Sequence, residues 1–368
     1  VEEQAGGSLA MSPLVSVVMP FHNRKQFLRA AVDSILNQTV RDLELIVVDD
    51  CSTDGATQII EEYEDPRIVR IQNETNLGVT RSNNVGLRRA RGEYVARMDS
   101  DDIALPHRFE TQIKFLEKSA AAMTHSNVEY IDENDRVLGE SNLDFDPALT
   151  NWNLLFDSYA FQPTFMWKRA IAERELGEYD ERFIVAQDFD FSWRAMKTIG
   201  FEGIAENLLK YRVHGNNITT QRRALQLSLV GGGSIEHIAE QLQIPVAESE
   251  ALFEGVRELT LFRDPKEWTP ERVEKVLPRY IHLWQRFLDQ RGALAWATRT
   301  QGLKAAVLKD LINATGILIA ARDLGRLTRS IRLISSSHVV PGPLMVRAIV
   351  SHRWNEKLGR KAAYQPSW

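Results

Sequence analysis

The chain has 368 residues, 43% of them hydrophobic and 26% charged, with a formal net charge of −5. That is enough apolar material for a sizeable core and more than one domain, and the charge excludes a strongly basic chain that binds nucleic acid through its phosphates. A single cysteine, Cys51, excludes an internal disulfide and fits a reducing compartment.

Residues 1–13 (VEEQAGGSLAMSP) are acidic and glycine-bearing, unlike a secretory signal, and read as a disordered lead-in. Residues 15–19 (VSVVM) form a short β-branched run, the pattern of a buried strand. Phe27, Leu28, Ala31, Val32, Ile35 and Leu36 then recur at helical spacing. A second strand is expected over residues 44–48, followed by DDCSTDGATQIIEEY, where Ser52, Thr53 and Asp54 are placed to cap a helix. A third strand at 68–72, a helix at 79–90 and a fourth strand at 94–98 complete the run. Strand and helix alternating at this rhythm imply a doubly wound α/β sheet, with ligands bound beyond the carboxyl ends of the strands. That rule gathers Pro20, Phe21 and His22, Asp49 and Asp50, and the cluster Asp99, Ser100, Asp101 and Asp102 into one crevice.

Beyond residue 122 the pattern changes. VEYIDENDRVLGE carries a turn between two β-type runs, PTFMWKR reads as a strand, 188–199 as a helix and 208–213 as a closing strand. From about 221 the chain reads as helical, so the expected division is 14–220 for one domain and 221–368 for a helical extension. Within the extension, IEHIAEQLQIPVAESEALFEGV has helix-turn-helix spacing, but its second helix carries Glu248, Glu250, Glu254 and Glu258, which repel phosphate. No nucleic-acid partner is expected.

Residues 291–368 hold 13 Lys+Arg against 3 Asp+Glu, or +10, leaving 32 against 47, or −15, for the remainder. Such a basic tail either meets an anionic surface such as a membrane or pairs with the acidic body. The longest apolar stretches, 311–321 and 333–346, are too short or too interrupted to span a bilayer. The first of these, followed by Arg322, Arg326, Arg329 and Arg332, is the candidate for lying on a membrane surface. A cytoplasmic location follows, either free or peripheral on the inner face of the membrane.

Three carboxylates in four positions repel one another unless a cation lies among them, and Asp-x-Asp offers hard oxygen ligands suited to Mg²⁺ or Mn²⁺ shared with phosphate. The bland alternative is a solvated acidic turn. The blocks VSVVMPFHNR, SILNQTV, LELIVVDDCSTDGA, NLGVTRSNNVGL, GEYVARMDSDDIALPHRF and YDERFIVAQDFDFSWRAMKTIGFE resemble, in order and spacing, the family 2 glycosyltransferases of the GT-A fold. These are inverting enzymes that use nucleotide-diphosphate sugars. The resemblance covers residues 14–220 and implies roles for the matching positions. Asp50 corresponds to the base reader and Arg81 to the arginine on the base or diphosphate. Asp99 and Asp101 correspond to the metal-binding pair, with Asp99 nearer the ribose. Pro20, Phe21 and Ser100 line the nucleotide pocket, and Asp188 corresponds to the general base.

His214, in YRVHGNN, either touches the diphosphate, completes the metal shell or is a histidine held by backbone bonds. Trp152, Phe156, Phe161, Gln162, Trp167 and Gln187 fall on the acceptor side, where core packing is the competing explanation. One departure is Gln187, where the family usually has glutamate before the base. Losing that charge should lower the pKa of Asp188 relative to the usual arrangement. The implied partners are a nucleotide-diphosphate sugar, with uridine favoured, and a glycan or lipid-linked acceptor. The extension would pack on the acceptor side, form an oligomer or rest on a membrane. A catalytically silent nucleotide-sugar-binding scaffold remains the alternative. Phosphoacceptor receivers and sugar nucleotidyltransferases are excluded, the first by the long remainder of the chain and the second by PFHNR standing where a Gly-rich loop is needed.

Overall fold

In the computed structural model, residues 12–143, 145–156, 158–215, 217, 221–261, 269–289 and 330 are described. The strands are β1 (Val15–Phe21), β2 (Leu43–Asp49), β3 (Ile68–Gln72), β4 (Tyr94–Arg97), β5 (Ile103–Ala104), β6 (Met123–Ile131), β7 (Val137–Glu140), β8 (Met166–Lys168) and β9 (Phe201–Arg212). The helices are α1 (Leu28–Leu36), α2 (Ala56–Glu61), α3 (Val79–Arg89), α4 (Arg108–Lys118), α5 (Pro147–Asn153), α6 (Arg169–Glu175), α7 (Gln187–Thr198), α8 (Arg223–Leu242), α9 (Val246–Leu261) and α10 (Pro270–Asp289).

One mixed sheet runs in the order β3-β2-β1-β4-β8-β6-β9-β5, with β7 beside β6. Its first four strands are parallel, so β1, β2 and β4 all deliver their carboxyl ends to the same edge. β1 and β2 are buried along their whole length, as mainly apolar strands covered on both faces are, and the two polar residues near their starts satisfy each other, the Ser16 hydroxyl donating to Glu44 at 2.6 Å. Pro20 is tolerated inside β1 because the β4 pairing stops at Val18, leaving only β2 alongside. Helix α3 lies close on the sheet at Gly86, where a Cβ would come within 2.5 Å of Val18 Cγ1. The far half of the sheet is built by β6 and β9, parallel to each other, with register shifts between Ser126 and Val128.

The described residues fall into two compact units. One is drawn from Val1–Leu143 and Ala160–Gln221, the other from Asp144–Tyr159 and Arg222–Trp368. This grouping differs from the expected division at 220 in one element: α5 goes with the helices of the second unit. The reason is packing. Trp152 of α5 meets Tyr280, Trp284 and Phe287 of α10 edge-on, at centroid distances of 5.1–5.9 Å. Among the described residues no helix is long and apolar enough to cross a membrane. The basic stretch expected to meet a membrane, 311–321 with Arg322, Arg326, Arg329 and Arg332, lies outside the described residues.

Candidate active site

Two adjacent acids end β2, and the structure gives them different work. Asp49 accepts the Ser52 N–H at 2.8 Å and the Thr57 hydroxyl, closing the turn into α2. Asp50 accepts Asn73 Nδ2 and the Leu77 N–H on one oxygen, each at 2.8 Å, and the Gly78 N–H on the other at 2.9 Å. Three of its roughly four lone-pair sites are thus spent on the loop that opens α3. The residue expected to read a nucleobase is also the organiser of that loop. Phe21, at the end of β1, accepts the Asp50 N–H at 2.8 Å, which joins the two strand ends. Asn23 and Cys51 both adopt left-handed backbone, with φ of 53° and 61°, where the chain turns away from the sheet.

The acidic turn follows β4. Asp99 Oδ1 accepts from Arg97 Nη2 at 2.6 Å, and Asp101 Oδ2 is reached by both Arg24 Nε and His214 Nε2 at 3.1 Å. Asp102 Oδ1 accepts the Arg212 N–H at 2.8 Å, while its Oδ2 is buried with no hydrogen-bond partner. Burial, then the charges of Asp101 and Asp99, push the Asp102 carboxyl well above the usual carboxylate range. Burial opposes ionisation of Asp101 too, but the His214 hydrogen bond and the Arg24 charge outweigh it and hold its carboxyl below that range. Beneath the turn Arg108, fully buried, donates to the carbonyl of Arg97 at 2.8 Å, and burial pulls its pKa down to about 9.

These arginines answer part of the question that the sequence raised. Crowded carboxylates need positive charge, and Arg24 and Arg97 already supply some of it. The cluster nonetheless fits a divalent ion: one oxygen from each of Asp99, Asp101 and Asp102 lies within 4.8 Å of the others, and Asp102 Oδ2 is a buried acceptor with nothing to accept. The sequence placed Asp102 in this acidic cluster, while the resemblance gave the metal-binding role to Asp99 and Asp101 alone. His214 reaches Asp101 from the side and packs on Phe27, with centroids 5.0 Å apart.

The remaining candidates separate into groups. Asp188 lies in the first turn of α7, entered through Ala186 in left-handed backbone at φ 63°. Gln187, beside it, donates Nε2 to Gln162 Oε1 at 3.0 Å, so these two predicted residues do meet. Arg81 is ion-paired with Glu181 at 2.9 Å, both side chains about half exposed. Ser100 is buried within the acidic turn. Trp152 and Trp167 are used differently from the acceptor-side expectation: they are 1% and 3% exposed, and Trp167 packs on Phe191 at 5.4 Å. Both indoles pack in cores, the explanation that competed with the acceptor-side reading. Trp152, moreover, belongs to the second unit.

The sequence reading also passed over Tyr179. Its ring is buried and stacked on Phe191, with centroids 4.2 Å apart. Burial pushes its phenol up to about 12, with the Asp188 and Asp99 carboxylates both contributing. An aromatic in a loop carries no signal of this kind in sequence; its burial depends on Phe191 and Asn84, brought to it by folding.

Comparison with known proteins gives a consistent picture. The description Glycosyl transferase family 2 matches residues 16–174. An uncharacterized glycosyltransferase of Methanocaldococcus jannaschii is 39% identical over 213 residues, which span 55% of this chain and 71% of that one. The putative teichuronic acid biosynthesis glycosyltransferase TuaG of Bacillus subtilis is 31% identical over 219 residues, or 57% of this chain and 83% of that one. Among solved structures, S. aureus TarS in complex with UDP-GlcNAc superposes with a TM-score of 0.56 at 18% identity, covering 89% of this chain and 92% of that one. That likeness is one of fold, the α/β GT-A fold.

Proposed function

Because this chain belongs to glycosyl transferase family 2, we propose that it moves a sugar, with inversion, from a nucleoside-diphosphate donor to a hydroxyl of a glycan or lipid-linked acceptor. The observation that carries this reading is the acidic turn behind β4, where one oxygen from each of Asp99, Asp101 and Asp102 lies within 4.8 Å of the others and Asp102 Oδ2 is a buried acceptor with nothing to accept. That turn suits a donor's phosphates, and Asp188, in the first turn of α7, is the carboxylate we assign to the acceptor's proton.

The chemistry then runs as one displacement. The acceptor oxygen attacks the anomeric carbon, the bond from that carbon to the phosphate oxygen breaks, and its electrons leave with the nucleoside diphosphate. Asp188 takes the hydroxyl proton as the new bond forms, a contribution of about 10²–10⁴-fold for a positioned base. Its place in the first turn of α7 suits a carboxylate, which the helix dipole stabilises by about 0.3–1 kcal/mol. A divalent cation held by Asp99, Asp101 and Asp102 would supply neutralisation of the charge that gathers on the leaving diphosphate. Arg24 and His214 fix the Asp101 carboxylate, and Asp50 shapes the loop beside the base pocket.

UDP and UDP-GlcNAc are present in the TarS structures, and so uridine donors head the screen that tests the proposal. The TuaG likeness favours a surface polysaccharide as the acceptor class. Thermal shift with UDP-sugars, with and without Mn²⁺, should show Mn²⁺-dependent stabilisation that Asp101→Ala abolishes. Asp188→Ala should bind the same UDP-sugar and release no UDP. Normal turnover by Asp188→Ala would remove the base assignment, and a chain inert to every nucleotide would favour the silent scaffold.

A further inference from the structure

We propose that Asn84 and Tyr179 are positioning residues for the transfer step, through which α3 sets the first turn of α7 and so the Asp188 carboxylate. The inference rests on the reading of Asp188 as the base.

The chain between α6 and α7 runs along α3 and is bonded to it at four places. Arg88 Nε pairs with Glu178 at 2.9 Å, Asn84 with Tyr179, Arg81 Nε with Glu181 at 2.9 Å, and the Thr80 hydroxyl donates to the Phe183 carbonyl at 2.6 Å. Residues 80, 84 and 88 are successive turns of one helix face, so the segment descends α3 in antiparallel order. The two arginine pairs are exposed ion pairs, each contributing at most about 1 kcal/mol. The Asn84 contact is of another kind. Asn84 is 1% exposed, and its amide closes a two-point bond on the Tyr179 backbone: Nδ2 donates to the carbonyl at 2.9 Å, and Oδ1 accepts the N–H at 3.0 Å. Both halves of a buried amide are matched to one residue, which sets the register of the segment.

From Tyr179 the contact passes to α7. Its ring stacks on Phe191 at 4.2 Å and 28°, and Phe191 lies three residues beyond Asp188, on the same face of the helix. Arg194, also of α7, grips the same segment by donating to the carbonyls of Leu176 at 2.6 Å and Glu178 at 2.9 Å. The start of α7 has no side-chain cap, since its N-cap residue is Ala186. Its first turn is held by the incoming segment together with the Gln187–Gln162 bond. A shift of about 1 Å at a catalytic group can cost on the order of 10²-fold in rate.

The test compares full-length wild type with Asn84→Ala, Asn84→Asp, Tyr179→Ala, Tyr179→Phe and Asp188→Ala. Turnover is read as UDP released from the UDP-sugar selected by the screen, alongside the Kd for UDP and the melting temperature. Asn84→Ala and Tyr179→Ala should lower kcat by about 10–100-fold while leaving the Kd for UDP within about twofold. Tyr179→Phe keeps the ring and the backbone bonds and should restore kcat. Asn84→Asp keeps only the acceptor half of the bond and should fall between Asn84→Ala and wild type, which leaves the idea testable if the alanine variants do not fold. Wild-type kcat in Asn84→Ala, or kcat and UDP affinity falling in step, overturns the proposal. An active Asp188→Ala defeats the base reading instead, so the two failures are told apart.

Discussion

Replacing His125 by glutamine removes a titrating group from the middle of β6 and gives a quantitative test of how dry the sheet interior is. His125 is fully buried and stacked on Phe201, with ring centroids 4.4 Å apart, and burial lowers its pKa from 6.5 to about 3. In the unfolded chain the ring takes up a proton as pH falls through about 6.5. Between the two values the unfolded state holds more protons, so the stability due to the neutral buried ring is full above about 6.5 and drains away as pH falls toward 3. At about 1.4 kcal/mol per pH unit, moving from pH 7 to pH 5 removes about 2 kcal/mol through this one residue. Guanidinium unfolding of wild type and His125→Gln at both pH values reads the difference directly. Any fixed cost of the substitution cancels, as do the carboxylates common to both chains. Wild type should lose about 2 kcal/mol more than the variant; equal losses in the two chains would refute the burial argument.

Asp50→Ala should cost about 2–5 kcal/mol, because Asn73 Nδ2 and the Leu77 and Gly78 N–H groups all lose their acceptor. Asp50→Asn should also lower the melting temperature, whereas a pure base reader would lose only UDP affinity. Gly86→Ala drives a methyl into Val18 and should destabilise by about 1–3 kcal/mol in the same unfolding assay; no change would mean that α3 can lift freely from the sheet. Removing the residues after Arg291 should abolish recovery with anionic vesicles while leaving UDP binding intact. Undiminished vesicle recovery would end the lipid role of that basic segment.

Much of the first half of the sheet was legible because its strands are buried on both faces. β1, β2 and β4 appear as short, mainly apolar runs, and the acidic turn stands just behind the last of them. β9 was only half visible. Its first residues, FEGIAEN, alternate between partly exposed positions and pair with β6 across shifted register, so no periodic pattern survives in sequence. Arg97 and Arg108 escaped notice for a different reason: a charged residue in a strand or helix reads as surface, and their burial depends on acids and carbonyls brought in by folding. The assignment of α5 to the second unit was equally hidden, since it follows from aromatic partners more than a hundred residues downstream.

The bonds from Arg24 and Arg97 to the acidic turn have a consequence for handling the protein. Counter-charge that is part of the polypeptide cannot be washed out. A preparation stripped with chelator should therefore melt where the untreated one does, and regain full turnover at once when Mn²⁺ returns. Under the proposed function the ion would be a companion of the incoming diphosphate, and the scaffold would not need it as a rivet.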